Sequence, residues 1–265
     1  YDLSGMQPGE IEKWVMEDWK LLVDRMKIRE DRAYLHHEGK PVVSVWGVGF
    51  SDGRNYSLEE CEQLVRFLKE DPVYGGNTVM LGLPTRWRTL TRDAVSDEKL
   101  HEIVRLADIV SPWMVGRNRN PDQAREHAKT TLAADIEWCS ENEMAYLPVV
   151  FPGFSWQNLK KSHGIAEELG KIPRRGGEFL WAQGSAYSEA GAKMLYVAMF
   201  DEVDEGTAIF KCSNDPPVGE SSFLTYEGLP SDHYLWLTGQ LGRLLRGEIS
   251  GDIKLPIRSN ATVPE

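Results

Sequence analysis

Near its C-terminal end the sequence reads "MLYVAMFDEVDEGTAIF", so that an apolar run from Met194 to Phe200 delivers four carboxylates, Asp201, Glu202, Asp204 and Glu205, almost together. Carboxylates this close repel one another and lose hydration, which raises some of their pKa values. A carboxyl kept protonated near neutral pH beside an ionised one is what general acid and base catalysis requires. Two structural readings stand beside the catalytic one: a solvated acidic loop and a cation site. A calcium loop needs a longer periodic set of ligands than this single cluster supplies. An apolar strand leading straight into the charges also distinguishes them from an ordinary surface loop.

A second set of residues recurs where other apolar runs end. Trp46 opens "WGVGFSDGRNY", Arg86 and Trp87 lie in "PTRWR", Trp113 precedes "MVGRNRN" with Arg117, and Trp156 and Asn158 lie in "FPGFSWQN". Rings offer flat apolar faces, and guanidinium, amide and carboxylate groups offer hydrogen bonds, which together suit a sugar. Each Trp taken singly is equally well explained as core or rim packing; their common position after strands favours the sugar lining. Trp14, Trp19, Trp138 and Trp236 fall on helical patterns and are expected in the core. Other chemistries find little support. "GESSF" is not a nucleophile elbow, and the six His lack a helical His-x-x-x-His pair. His36 and His37 lie in a polar turn, and His101 and His127 on helical stretches. Cys61, Cys139 and Cys212 are far apart and odd in number, against a disulfide framework or a structural zinc site. Asn55-Tyr56-Ser57 and Asn260-Ala261-Thr262 match glycosylation acceptors, a short pattern that recurs by chance.

The elements that must position these residues alternate between short apolar strands and amphipathic helices. A strand stub at Tyr1 to Leu3 precedes a helix from about Gly9 to Met26, with Ile11, Trp14, Val15, Trp19, Leu22 and Met26 as its buried stripe. Strands are expected at Val42 to Trp46, Thr78 to Leu83, Ile109 to Val115, Tyr146 to Phe151 and Met194 to Phe200. Ser57 and Glu60 form a capping box ahead of Leu64, Val65 and Leu68. Further helices are expected from Asp97 to Ala107, from Pro121 to Asn142, around Glu178 to Ala190, and near Asp232 to Leu245, with proline in an ordinary first-turn place at 121.

Strand and helix in alternation mark a parallel sheet with helical crossovers. No Gly-x-Gly-x-x-Gly follows a strand, which disfavours a dinucleotide-binding fold and favours a (β/α)₈ TIM barrel. Five strands and a stub fall short of eight. We therefore expect one catalytic-type domain over residues 1–265, the C-terminal part of a barrel whose first two or three βα units, roughly 100 residues, are absent. The chain's 265 residues carry 41 Asp and Glu against 30 Lys and Arg, a net charge of −11. That argues against a nucleic-acid or anionic-membrane surface. No run reaches the roughly 18 apolar residues of a membrane span.

"YVAMFDEVDEGTAIF" resembles the "FNEWHEGT" strand-end motif of the endo-α-mannosidase family, glycoside hydrolase family 99, and more distantly the "NDWGES" motif of the related α-1,3-glucanases. "YLHHEGKPVVSVWG", "FPGFSWQN" and "IPRRGGEFLWAQ" resemble successive barrel segments of the same family. The likeness is nearest to the bacterial branch called xylosidase/arabinosidase-like or family 71/99-like. It covers nearly the whole chain, which corresponds to the C-terminal two thirds of such proteins and agrees with an N-terminal truncation.

The resemblance implies a retaining glycosidase acting on α-linked, mannan-like or related polysaccharide without metal or other cofactor. Glu202 would be the base on the sugar's 2-hydroxyl and Glu205 the general acid. Asp2, Trp46, Trp87, Trp113, Arg117, Trp156, Asn158, Asp201 and Asp204 are the candidate substrate contacts, and Arg175 would help order the following segment. Where the family has Asn, Trp and His, this chain has Asp201, Val203 and Asp204, which leaves mannan specificity open. A non-catalytic carbohydrate-binding relative, or a piece inactive without its first barrel units, are the alternatives. Degradation of polysaccharide implies a periplasmic or extracellular setting.

Overall fold

A computed structural model describes residues 1–217, 219–250 and 254–258 of the chain. The acceptor pattern at Asn260 lies outside the described residues. Contacts divide the chain into two compact units, Tyr1–Trp113 with Asp135–Pro148, and Met114–Ala134 with Val149–Glu265.

The first unit holds a five-stranded sheet of β1 (His36–His37), β2 (Lys40–Trp46), β3 (Thr78–Leu83), β4 (Ile109–Pro112) and β5 (Ala145–Tyr146), in that order. β2 to β5 are parallel, with Val42 opposite Thr78, Met80 opposite Ile109, and Ile109 opposite Ala145. The polar turn around the paired histidines is the short antiparallel hairpin of β1 with β2. Tyr1 to Leu3 runs parallel to the end of β2: the Trp46 N–H donates to the Tyr1 carbonyl at 2.8 Å and the Leu3 N–H to the Trp46 carbonyl at 3.0 Å. β3 is buried at nearly every position, as a strand covered on both faces must be.

Helix α2 (Leu58–Glu70) begins at the expected capping box. Ser57 Oγ accepts the Glu60 N–H at 3.2 Å, and Glu60 Oε2 accepts the Ser57 N–H at 2.8 Å. Cys61, Leu64, Val65 and Leu68 form its buried side. The helix expected from Gly9 to Met26 is instead a π-helical stretch, Ile11–Met16, followed by α1 (Glu17–Asp24). Its buried positions are Ile11, Val15, Trp19 and Val23, spaced by four. Trp14, expected in the core, is 55% exposed, and Met26 lies beyond the helix. The widened turns shift the phase of the stripe away from the 3.6-residue period on which that expectation rested. α3 (Lys99–Val104) follows in the same unit.

The second unit begins with α4 (Pro121–His127), capped by Asn120, whose Oδ1 accepts the Gln123 N–H at 2.9 Å. A π-helical stretch at Ala128–Leu132 leads into α5 (Ala133–Glu141), within which the chain passes to the first unit. The strand expected from Tyr146 to Phe151 is broken at Pro148, which has no N–H to give a ladder. β5 lies before the break. After it, β6 (Val149–Val150) pairs in parallel with β7 (Tyr196–Val197). α6 (Gln157–Ser162) is a short helix in a stretch where none was expected, while α7 (Glu178–Glu189) and α8 (His233–Leu245) follow the expected pattern. α7 is buried on every side, and Gln183 within it satisfies its amide by donating to the Phe151 and Phe179 carbonyls at 2.7 and 3.1 Å.

β7 is also shorter than the expected strand Met194 to Phe200. Beyond Val197 the chain folds back on itself: the Met199 N–H donates to the Thr207 carbonyl at 3.2 Å, and the Phe210 N–H to the Phe200 carbonyl at 2.9 Å. The acidic motif therefore occupies a closed loop whose own backbone bonds replace a ladder.

Candidate active site

That loop sets the geometry of the four carboxylates. The Glu202 carbonyl accepts the Thr207 and Ala208 N–H groups at 3.0 and 2.8 Å, which closes the turn. Glu202 Oε1 accepts the Asp204 N–H at 3.0 Å and the Glu205 N–H at 3.4 Å, so the base candidate is oriented by the backbone of the acid candidate. Asp201 and Asp204 are exposed, while Glu202 and Glu205 are half-buried. Burial, and then the charges of Glu202 and Asp204, hold the Glu205 carboxyl above the ordinary glutamate range.

A neighbouring segment of the same unit supports the loop. The Ser155 N–H donates to the Glu205 carbonyl at 2.8 Å. Asn158, 8% exposed, donates through Nδ2 to Asp204 Oδ1 at 2.8 Å and to the Ser222 carbonyl at 3.1 Å. Trp156 packs edge-on against Phe154 at 4.4 Å between ring centroids and lies over Gly116, where a Cβ would come within 2.9 Å of its ring. A cavity of about 460 Å³ opens beside Asn158, lined among others by Gln157, Lys161, Ile165, Glu167 and Ser222. Arg117 is exposed, in the turn after Gly116.

Further strand-end candidates fall in the first unit. Trp46 lies 5.8 Å from Trp113 and 4.8 Å from Phe50, with the Arg54 guanidinium 5.1 Å from the centres of both Trp46 and Phe50. Gly82, opposite Trp46 across β2 and β3, leaves space for its indole, which a Cβ there would strike. Asp2 is exposed, and its Oδ1 accepts the Ser4 N–H at 2.8 Å.

Trp87 requires a correction: it is fully buried, with its ring 4.8 Å from Trp138 and 6.4 Å from His101. The following residue explains the burial, because Arg88 Nε donates to buried Asp135 at 2.7 Å and ties the segment inward. "PTRWR" thus packs the first unit. Arg175 is a second correction. It is exposed, whereas its neighbour Arg174 is 3% exposed and donates through Nη2 to the carbonyls of Gly206 and Ala208 at 2.7 and 2.9 Å. The doubled arginine of "IPRRGG" signalled such a role, but adjacent residues of one type do not reveal which points inward. Tyr226, whose hydroxyl donates to the carbonyls of Ala208 and Phe210, had no signal in the sequence.

Among the described residues no three His, Cys, Asp or Glu side chains converge as metal ligands. No described helix is long and apolar enough to cross a membrane.

No protein-family model matches the chain, and no curated protein does. Two solved structures of the GH99 endo-α-mannosidase from Bacteroides thetaiotaomicron are similar to it, the second in complex with bis-tris-propane. Their TM-scores are 0.63 and 0.64, each at 15% sequence identity and over 92% of this chain. The chain spans 64% of the length of the first and 68% of the second. The expected mixed α/β fold, with parallel strands joined through helices, is thus shared with these structures.

Proposed function

We propose that the chain carries the catalytic residues of a glycoside hydrolase that cleaves α-linked glycans with retention of configuration. The observation that carries this reading is the pairing of two unlike glutamates on one turn. Glu202 is oriented by two backbone N–H groups, and Glu205 is held toward its protonated form by burial and by two acidic neighbours. The shared fold of the mannosidase structures supports it.

In the proposed reaction Glu202 takes the proton of the sugar's 2-hydroxyl, whose oxygen attacks the anomeric carbon. Glu205 gives its proton to the departing glycosidic oxygen. Water then opens the anhydrosugar with both roles reversed, and each glutamate returns to its starting form. This substrate-assisted route departs from the pattern in which a carboxylate is the nucleophile. Trp156 offers a ring face in the same unit, and a periplasmic or extracellular setting gives access to polysaccharide.

A second reading, a carbohydrate-binding relative without turnover, draws on Val203 and Asp204, which stand where the family motif has Trp and His. The Asp204 carboxylate is engaged by Asn158. Screening the chain against α-mannan, α-glucan and arabinoxylan fragments, with the product anomer read by NMR, separates the two. Glu202→Gln and Glu205→Gln are each expected to lower kcat/KM by about 10²- to 10⁴-fold. Undiminished hydrolysis in either variant refutes the assigned roles, and binding without product from any of these glycans favours the second reading.

A further inference from the structure

The bonds that fix the Glu205 turn converge on its backbone, and one of their donors carries a full charge. Arg174 is 3% exposed, and among the described residues no carboxylate pairs with it and neither Nε nor Nη1 has a hydrogen-bond partner. A guanidinium taken out of water is costly unless its charge is met. Here it is met by two carbonyl oxygens and two ring faces: Nη2 reaches the Gly206 and Ala208 carbonyls, and the guanidinium carbon lies 4.9 Å from the ring centre of Tyr226 and 4.6 Å from that of Tyr234.

The two carbonyls flank Thr207, whose own N–H is held by Glu202. The turn is therefore pinned from one side by the Glu202 carbonyl and from the other by Arg174. Local structure delivers the side chain there. Phe154 and Ile172 exchange N–H···O bonds of 2.9 and 3.0 Å, which brings Arg174 across Gly153. A Cβ at Gly153 would come within 2.7 Å of Arg174 Cγ and 2.8 Å of the Ile172 carbonyl oxygen.

We infer that Arg174 is a positioning residue for the acid: held between Tyr226 and Tyr234, it fixes the backbone at Gly206 and Ala208 that presents Glu205 opposite Glu202. For catalysis this rests on the roles proposed above, but the placement itself can be read without turnover. Lysine keeps the charge but lacks the planar face that stacks on two rings, and methionine keeps the stem but has no donor.

The test compares the chain with Arg174→Lys and Arg174→Met. In variants that retain a cooperative unfolding transition, amide hydrogen exchange at Thr207 and Ala208 is expected to speed at least about ten-fold. Protected amides of α7 should stay unchanged. The Glu205 carboxyl, followed by ¹³C NMR, is expected to titrate lower as it gains water, with Glu202 and Asp204 still the charges that face it. Where a glycan is hydrolysed, kcat should fall at least ten-fold with KM within about two-fold, the lysine variant being the milder. Unchanged exchange and titration in a folded variant overturn the inference, as does an unchanged kcat. Failure of both variants to fold also overturns it, by assigning Arg174 to the stability of the whole unit. Local exchange that responds in a chain without hydrolysis leaves Arg174 in place and refutes the catalytic reading alone.

Discussion

Arg88→Met should expose the buried charge at Asp135 and do so in a pH-dependent way. Asp135 is 2% exposed, and its carboxylate takes the Arg88 Nε–H at 2.7 Å and the Tyr146 hydroxyl at 3.3 Å. Burial holds the Asp135 carboxyl above the ordinary aspartate range, although Arg88 and Tyr146 pull it down. Removing the cationic partner of a buried pair costs about 3–5 kcal/mol. The Arg88 side chain is 25% exposed, so water screens part of the pair and the lower end, about 3 kcal/mol, is expected at pH 8. The sign of the pH dependence follows from the raised value. A carboxyl whose folded pKa exceeds its unfolded one destabilises progressively as pH rises from the unfolded value, about 3.9, through the folded one. Loss of Arg88 raises the folded value further and lengthens that window. Toward the unfolded value the carboxyl takes up its proton more readily in the folded variant, and the deficit should shrink at pH 4.5 toward that of one lost hydrogen bond and some packing, about 1 kcal/mol. Urea denaturation of both proteins at pH 4.5 and 8, followed by tryptophan fluorescence, measures the difference. Adding Asp135→Asn should remove most of the pH dependence. A deficit equal at the two pH values within about 0.5 kcal/mol, or below about 1 kcal/mol at pH 8, would refute the reasoning.

Two further outcomes concern the corrected and the proposed site residues. Trp87→Ala should cost about 3–5 kcal/mol, as deletion of a fully buried ring, and a loss under 1 kcal/mol in urea denaturation would return Trp87 to the surface candidates. Glu205→Gln should stabilise the chain at neutral pH and leave it unchanged below the unfolded glutamate pKa, because a carboxyl with a raised folded value lowers stability only as pH climbs past the unfolded one. Thermal melts at pH 4 and pH 7.5 check this, and a variant less stable than the parent at pH 7.5 contradicts the burial assigned to Glu205.

Much of the chain's order was legible from local signals. The capping box at Ser57 and Glu60, the proline opening α4, the limits of β3 and the start of α7 all rest on residues within one or two turns of each other. Local reading failed within an element at Pro148 and Trp14, and through distant partners at Trp87 and Arg88. Pro148 divided one apolar run between two sheets, and Trp14 left its stripe because the helix widened. Trp87 and Arg88 were drawn inward by residues about fifty positions away, Trp138 and Asp135.

By itself, then, the sequence determined the alternation of parallel strands and helices, the chemical character of the acidic motif and the end of the apolar run at which it lies. These are consequences of spacing and residue type. Only the tertiary structure decided that Asn158 engages Asp204 and that Arg174 rather than Arg175 turns inward. The reason is physical. Spacing along the chain fixes which backbone bonds a residue can make with its neighbours, but the depth of a side chain depends on what packs over it. For Arg174 those partners are the Gly206 and Ala208 carbonyls, 32 and 34 residues further along.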